Sequence, residues 1–461
     1  MIEQLNSLMK ALEAGSYNAT PDSLQQGASL QVEDLSPVMQ NVTYGEQHIK
    51  LQKAIEIKEA RSQLVQFNRQ LSYGIFGASA QFEGGVGEEQ TSDYARQVVP
   101  MSYYSSTRRV SVAANMIGAF DGVKAEDRAA SDAAMQLAGD IEFDLFRGQN
   151  DFSENGFFTG NPLAIAAVPN MLGVDTQVRQ SDHLSNTQDL MFASYGSDQT
   201  VVLSADGTLT QSNLEDSAVR SAMNHGSADK FYLDPVSLSA YNKIAHAKER
   251  IVLAGSAQAS SGAELRQQWT SSGLVSLEAS RFLSGRTSPH PAKEGAPAAP
   301  TLSTSADADA DSVLDAGTYT YYVTTVNMRG ESLPSSAEQQ AIATGERATL
   351  TIGATAGAAY YNVYRSRAGG SAADAKFIGR VKAASAGSTT FRDLGLRQPG
   401  AVTGFLVQSN TMGIHQLSPY SRLRMAVNDL SLPEAHFRFL CLALYQPRKN
   451  VLLDNITGQL F

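Results

Sequence analysis

The stretch from Val123 to Gly148, VKAEDRAASDAAMQLAGDIEFDLFRG, constrains this chain most. Ala134, Leu137, Ala138, Ile141 and Leu145 recur at helical spacing on one face, while Asp127, Arg128, Asp132, Gln136, Asp140 and Asp144 fall mostly elsewhere on the wheel. Asp121 is placed to cap the start, and Gly148, just after Arg147, to stop the end. Taken alone this is an ordinary amphipathic helix; its surroundings change the reading. Before it runs Tyr73 to Phe120, with strand pieces and glycines but little packing signal. After it come a Gly/Asn-rich loop and a mixed α/β stretch. A long flexible hairpin feeding a long helix is an architecture of assembly more than of an active site.

The rest of the chain fills in around that pair. Leu5, Leu8, Met9 and Leu12 mark a short helix over residues 2–13, and residues 15–47 read as an extended arm. Ile49, Leu51, Ile55 and Ile57 follow a strand pattern. From Lys58 the period changes, and Leu64, Phe67, Asn68 and Leu71 space out as a helix ending near Ser72 to Gly74. GIFGASAQFEGGVGEEQ is glycine-rich and expected to be mobile when isolated; its GGVG lacks the Lys-Ser/Thr of a phosphate loop. VVPMSYYSSTRRVSVAA, Val98 to Ala114, reads as a strand pair about a Ser/Ser/Thr centre. Gly156 to Pro162 make a turn-rich loop. Ser212 to His225 is expected to be a helix, with Ser212 and Glu215 at capping-box spacing and Leu214, Ala218, Ala222 and Met223 on its apolar face. KFYLDPVSLSAYNKI then reads as strand, turn and short helix, so residues 150–285 form an α+β body.

The style of the sequence shifts at Thr287. SPHPAKEGAPAAP is linker composition and ADADAD, residues 306–311, an acidic loop without the glycine and terminal glutamate of a calcium-binding hand. TYTYYVTTVN, ATLTI, YYNVYRS, KFIGRV and TTFRD then recur as short strands between Gly/Ser/Ala turns, the pattern of a two-sheet sandwich of about one hundred residues. After Pro399-Gly400 the near-continuous apolar FRFLCLALY suits a strand buried in the main body, which makes the sandwich an insertion. Its Cys441, the single cysteine of the chain, excludes intramolecular disulfides and reads as a buried strand residue.

Chemistry is conspicuous by what the sequence lacks. None of the seven histidines forms a metal-ligating pair, and no GxSxG or Walker loop occurs. Glu88, Glu89, Asp140 and Asp144 read as solvated carboxylates, and no catalytic, cofactor-binding or metal-ligating residue is assigned. The net charge of -10 argues against a basic nucleic-acid footprint. No apolar run approaches a bilayer span and no secretory signal is visible, so synthesis in the cytoplasm is expected. With 42% apolar and 18% charged residues over 461 positions, the chain is globular and long enough for two or three domains.

Several stretches together carry a likeness: HIKLQKAIEIKEARSQLVQFNRQLSYG, FGASAQFEGG, TRRVSVAA, IEFDLFRGQNDFSENGF, DPVSLSAYNKIAHAKER and LYQPRKNVLLDNITG. In this order they resemble the major capsid proteins of tailed double-stranded DNA phages, the Hong Kong-type capsid fold. The resemblance implies an α+β chain with an N-terminal arm at 1–58 and a helix and extended loop at 59–122. A peripheral and axial body with the spine helix 123–148 would occupy 123–290, an inserted domain 291–403, and the return to the body 404–461. AGTYTYYVTTVNMRGESLPSS and YYNVYRS resemble a fibronectin type III or immunoglobulin-like module, a surface decoration on phage structural proteins.

The implied function is a structural subunit that self-assembles as hexamers and pentamers into an icosahedral virion capsid. It encloses DNA without specific binding and has no cofactor and no membrane. Portal and scaffolding proteins are the implied partners, with a decoration protein or a host-surface glycan meeting the insert. The founding member joins a loop lysine to an asparagine of a neighbour; here no lysine lies between Lys58 and Lys124. The chain begins at Met1 with a short N-terminal part, which implies a separate scaffolding protein. Arg108 and Arg109, on the second strand of the extended loop, are the candidate intersubunit contacts, with a solvated pair as the alternative. Two other classes compete: a phage tail or surface adhesin carrying the sandwich, which would normally repeat it, and an enzyme whose residues meet only in space.

Overall fold

The computed structural model describes residues 43–76, 79–87, 89–117, 123–148, 171–179, 201–203, 207–246, 266–284, 297–327, 330–384, 387–427 and 429–457. The expected helix at 2–13, the Asp121 cap, most of the arm, the Gly156–Pro162 loop and most of the Pro/Ala linker lie outside these residues.

In chain order, helix α1 (Leu51–Ala54) leads into strand β1 (Glu56–Glu59). Strands β2 (Leu64–Ser72), β3 (Asp93–Pro100) and β4 (Ser102–Ser111) follow, then helices α2 (Val112–Ile117), α3 (Ala125–Arg147) and α4 (Val174–Arg179). The body continues through β5 (Val201–Leu203), α5 (Gln211–Met223), β6 (Lys230–Leu233), α6 (Pro235–His246), β7 (Gln267–Thr270) and β8 (Gly273–Ala279). An all-β unit comprises β9 (Leu302–Ala308), β10 (Gly317–Asn327), β11 (Gly330–Glu331), β12 (Glu338–Ile342), β13 (Glu346–Ile352), β14 (Tyr360–Arg365), β15 (Lys376–Lys382) and β16 (Thr389–Asp393). β17 (Val402–Val407), β18 (Met412–Arg424), β19 (Ser431–Leu444) and β20 (Val451–Ile456) complete the chain.

Two sheets build the body. One runs β1-β18-β19-β4, the other β5-β20-β17-β6-β8-β7. The C-terminal half of α3 ties them together: Ile141, Leu145 and Phe146 share one buried cluster with Tyr232, Phe405 and Leu452 of the second sheet and Ile414, Leu440 and Leu442 of the first. Phe146 meets Tyr232 edge-on at 5.4 Å and Phe405 at 5.2 Å. The opposite face of the six-stranded sheet is covered by α5 and α6 through Leu214, Leu238 and Tyr241. Among the described residues no helix is long and apolar enough to cross a membrane.

The all-β unit sits between β8 and β17, both members of the six-stranded sheet. Its sheets β11-β10-β14-β15, with β12 also on β10, and β16-β13-β9 share the core of Tyr319, Tyr321, Val323, Leu350, Ile352, Tyr361, Val363 and Phe391. The body sheet resumes at Val402, which pairs with Ile456.

Five local expectations are corrected. Leu64–Ser72 is a strand, because Val65 and Phe67 alternate toward Val99 and Met101 once β3 lies alongside. The Ile49–Ile57 strand shrinks to Glu56–Glu59, preceded by a helical turn whose N–H groups find a distant carboxylate described below. The Val98–Ala114 pair does not turn at Ser105–Thr107. The break falls at buried Met101, after Pro100, and the two strands take different partners, β2 and β19. Thr210, extended in backbone, caps α5 by accepting from Asn213 N–H at 3.3 Å, so Ser212 lies inside the helix, and Ala222 and Met223 are exposed. The first half of ADADAD is strand, because Asp307 stands opposite Arg347 on β13.

Candidate assembly surfaces

The long helix is held by its carboxylates as well as by its apolar face. Glu142, fully buried, accepts from the backbone N–H groups of Lys50 (3.0 Å), Leu51 (2.7 Å) and Gln52 (2.9 Å). These are the orphan donors at the start of α1, so a side chain about 90 residues away caps that turn. Burial raises the Glu142 carboxyl and the three N–H bonds oppose it. Tyr104 on β4 donates to Asp144 Oδ2 at 2.7 Å, and burial pushes its phenol well above the ordinary range. Asp144 is therefore buried, not solvated as expected. The sequence held a signal: at about 100° per residue it lies only about 60° from Ile141 on the wheel. Gly139 admits the Tyr44 ring, where a Cβ would stand 2.5 Å from the hydroxyl.

At its other end α3 meets a charged cluster. Its N-cap is Lys124, whose side chain makes no cap bond. Glu126 in the first turn accepts from Arg422 Nη2 and Arg424 Nη2, each at 2.5 Å. The same arginines donate through Nε to Glu434, at 2.7 and 3.4 Å. Arg422, Arg424 and Glu434 were not singled out from sequence, because no local spacing joins residue 126 to residue 422.

Arg108 and Arg109 lie on β4, paired with β19 in the body sheet rather than on the ribbon β2–β3. Arg108 points to the helix side and donates to Gln136 Oε1 at 2.6 Å. Arg109 faces solvent and bridges Asp429 at 3.2 Å, with 64% and 54% of the two side chains exposed.

The β2–β3 ribbon shows the opposite balance. Its base packs on the body through Val65, Val99 and Met101, and Arg69 donates to the carbonyls of Leu444 (2.7 Å) and Tyr445 (2.6 Å). Beyond the base, Tyr73, Ile75, Phe76, Phe82 and Val86 are all at least 73% exposed. Cys441 is buried beside the ribbon base, and burial pushes its thiol up to about 12, which makes it unreactive.

No family model matches the chain. The major capsid protein of Staphylococcus phage S25-3 is 22% identical over 475 residues, covering 97% of this chain and 94% of that protein. That of Staphylococcus phage K shows the same identity and coverage. A putative major capsid protein of Enterococcus phage phiEF24C is 27% identical over 158 residues, 33% of each chain. Among solved structures, the capsid of a native GTA particle overlays with a TM-score of 0.49 at 12% identity, covering 95% of this chain and 99% of that one. The capsid of cyanophage P-SCSP1u gives 0.45 at 9%, covering 96% and 97%. The curated likeness runs nearly end to end: this α+β chain is similar, over almost its whole length, to the major capsid proteins of phages.

Proposed function

We propose that the subunit closes an icosahedral shell as hexamers and pentamers around double-stranded DNA, and that the ribbon binds each copy to the next. One observation carries this: five large apolar side chains between Tyr73 and Val86, at the ribbon end, are exposed while the body beneath is fully cored. Monomeric proteins rarely expose such a cluster, and it gains contacts by lying on a neighbouring copy. In this reading Arg108 and Arg109 border the receiving surface. The segments 1–58, 59–122, 123–290, 291–403 and 404–461 act as arm, loop, body, insert and closing strands. The insert, an immunoglobulin-like sandwich, faces outward, where a decoration protein or host glycan meets it; portal and scaffolding proteins complete the assembly.

Replacing residues 73–92 with a Gly/Ser linker tests the ribbon. A soluble chain with unchanged circular dichroism and no particles is expected; normal shells would refute the reading. Denatured shells should run as a single band at 49.3 kDa, because no lysine is present from residue 59 to 123.

A further inference from the structure

His436 on β19 is fully buried, opposite Arg422 on β18 and Ser106 on β4. Its Nδ1 is 2.9 Å from the Tyr420 hydroxyl, which donates to the Ala130 carbonyl of α3 at 3.2 Å. With that bond made, the hydroxyl accepts from Nδ1–H, and Nε2 is left as a bare lone pair. Among the described residues Nε2 has no hydrogen-bond partner, and it stands 3.8 Å from Glu434 Oε2. Burial makes an unpartnered imidazole nitrogen costly, so its retention calls for a reason.

The surroundings supply one. The charged and titratable groups around the ring are Glu434 on β19, Tyr420, Arg422 and Arg424 on β18, Arg108 on β4, and Glu126 and Asp127 on α3. Among the described residues, three arginines balance three carboxylates. A proton on His436 adds an uncompensated charge, and the new Nε2–H needs an acceptor. Glu434 Oε2 is the nearby candidate, but it already accepts from Arg422 Nε at 2.7 Å. The imidazolium and Arg422 would compete for one oxygen, and Arg422, together with Arg424, also holds Glu126.

We propose that His436 is a proton-operated latch, whose protonation frees the first turn of α3 from the β18–β19 hairpin. Burial lowers the basicity of the ring most; Glu434 raises it, and Arg422 and Arg108 lower it again. The linkage follows from that depressed value: the closed junction is fully held above the ordinary histidine pKa of about 6.5 and weakens as pH falls through it. Glu434 is raised by burial but brought net below its usual 4.5 by Arg422 and the neighbouring groups, so carboxylate-driven opening is confined to lower pH.

The test is backbone hydrogen exchange of the full chain at residues 126–131, corrected for intrinsic rates, between about pH 7.5 and 5. The opening constant should rise by up to about tenfold per pH unit below about 6.5, and His436→Gln should flatten that dependence. A pH-independent junction, or an unchanged dependence in His436→Gln, overturns the latch. If that variant fails to fold, exchange of the His436 C2 proton in the wild-type chain decides. A titration midpoint below 6.5 that coincides with opening supports the latch, and a midpoint at or above 6.5, or one separate from opening, refutes it.

Discussion

The ribbon β2–β3 and the strand pair β10–β14 are both antiparallel, and both lie away from the body core, yet they solve burial differently. β10 and β14 are buried along nearly their whole length, by the core on one face and by neighbouring loops on the other. Even their charges are enclosed: Arg365 donates to Asp393 at 2.5 Å, where the Tyr321 hydroxyl also binds at 2.9 Å. Among the described residues the ribbon has no second layer beyond its base, and the apolar side chains of its end are exposed. A strand pair that completes its own core is a self-sufficient unit, whereas one that displays apolar groups beyond its root is half of a contact.

Aspartate at both Phe76 and Phe82 would break that contrast most visibly. Each phenylalanine should behave as an interface anchor of at least about 2 kcal/mol, so particle yield should fall about a hundredfold or more. Thermal unfolding of the unassembled chain should not move. A lowered melting temperature with normal assembly would place the ribbon in the subunit's own fold.

Phe391→Ala probes the other side. It empties a fully enclosed site in the sandwich and should destabilise that unit by about 3–5 kcal/mol, with its own calorimetric transition shifting while shells still form. A single transition in which the body melts together with the insert would show the two are not independent. Excising residues 297–400 sharpens the same point, and shells should persist at reduced stability.

Glu142→Ala tests a contact internal to the body. Three backbone N–H groups lose their acceptor, which costs about 1–3 kcal/mol by chemical denaturation, with exchange at Lys50–Gln52 rising first. No change in either readout would mean that water replaces the carboxylate at no loss. Smallest of all, Arg109→Ala should leave subunit stability within error, since its ion pair is largely exposed. A clear loss of assembly in that variant, with the fold intact, would assign Arg109 to the subunit contact.

Much of this was legible in advance wherever one short period settles burial. The long helix starts two residues later than Val123 and ends at Arg147. Each of the five strands read in the sandwich forms, because alternating Tyr, Val and Thr leaves few ways to bury that surface. The ribbon strand Leu64–Ser72 was misread because Leu64, Phe67 and Leu71 also fit a helical period. Only pairing with β3 made the two-residue alternation of Val65 and Phe67 the one that buries apolar surface.

By itself, then, the sequence determined the long helix and the five strands of the all-β unit, and an order of segments that resembles phage capsid subunits. These are properties of local period, composition and sequence order. The tertiary structure alone decided the long-range polar contacts: Glu142 capping α1, Asp144 meeting Tyr104, and Arg422 and Arg424 gathering Glu126 and Glu434. A charged side chain is in water by default, and it is buried only when partners distant in sequence satisfy it. The positions of those partners are set by the packing of sheets and helix, which no local spacing records.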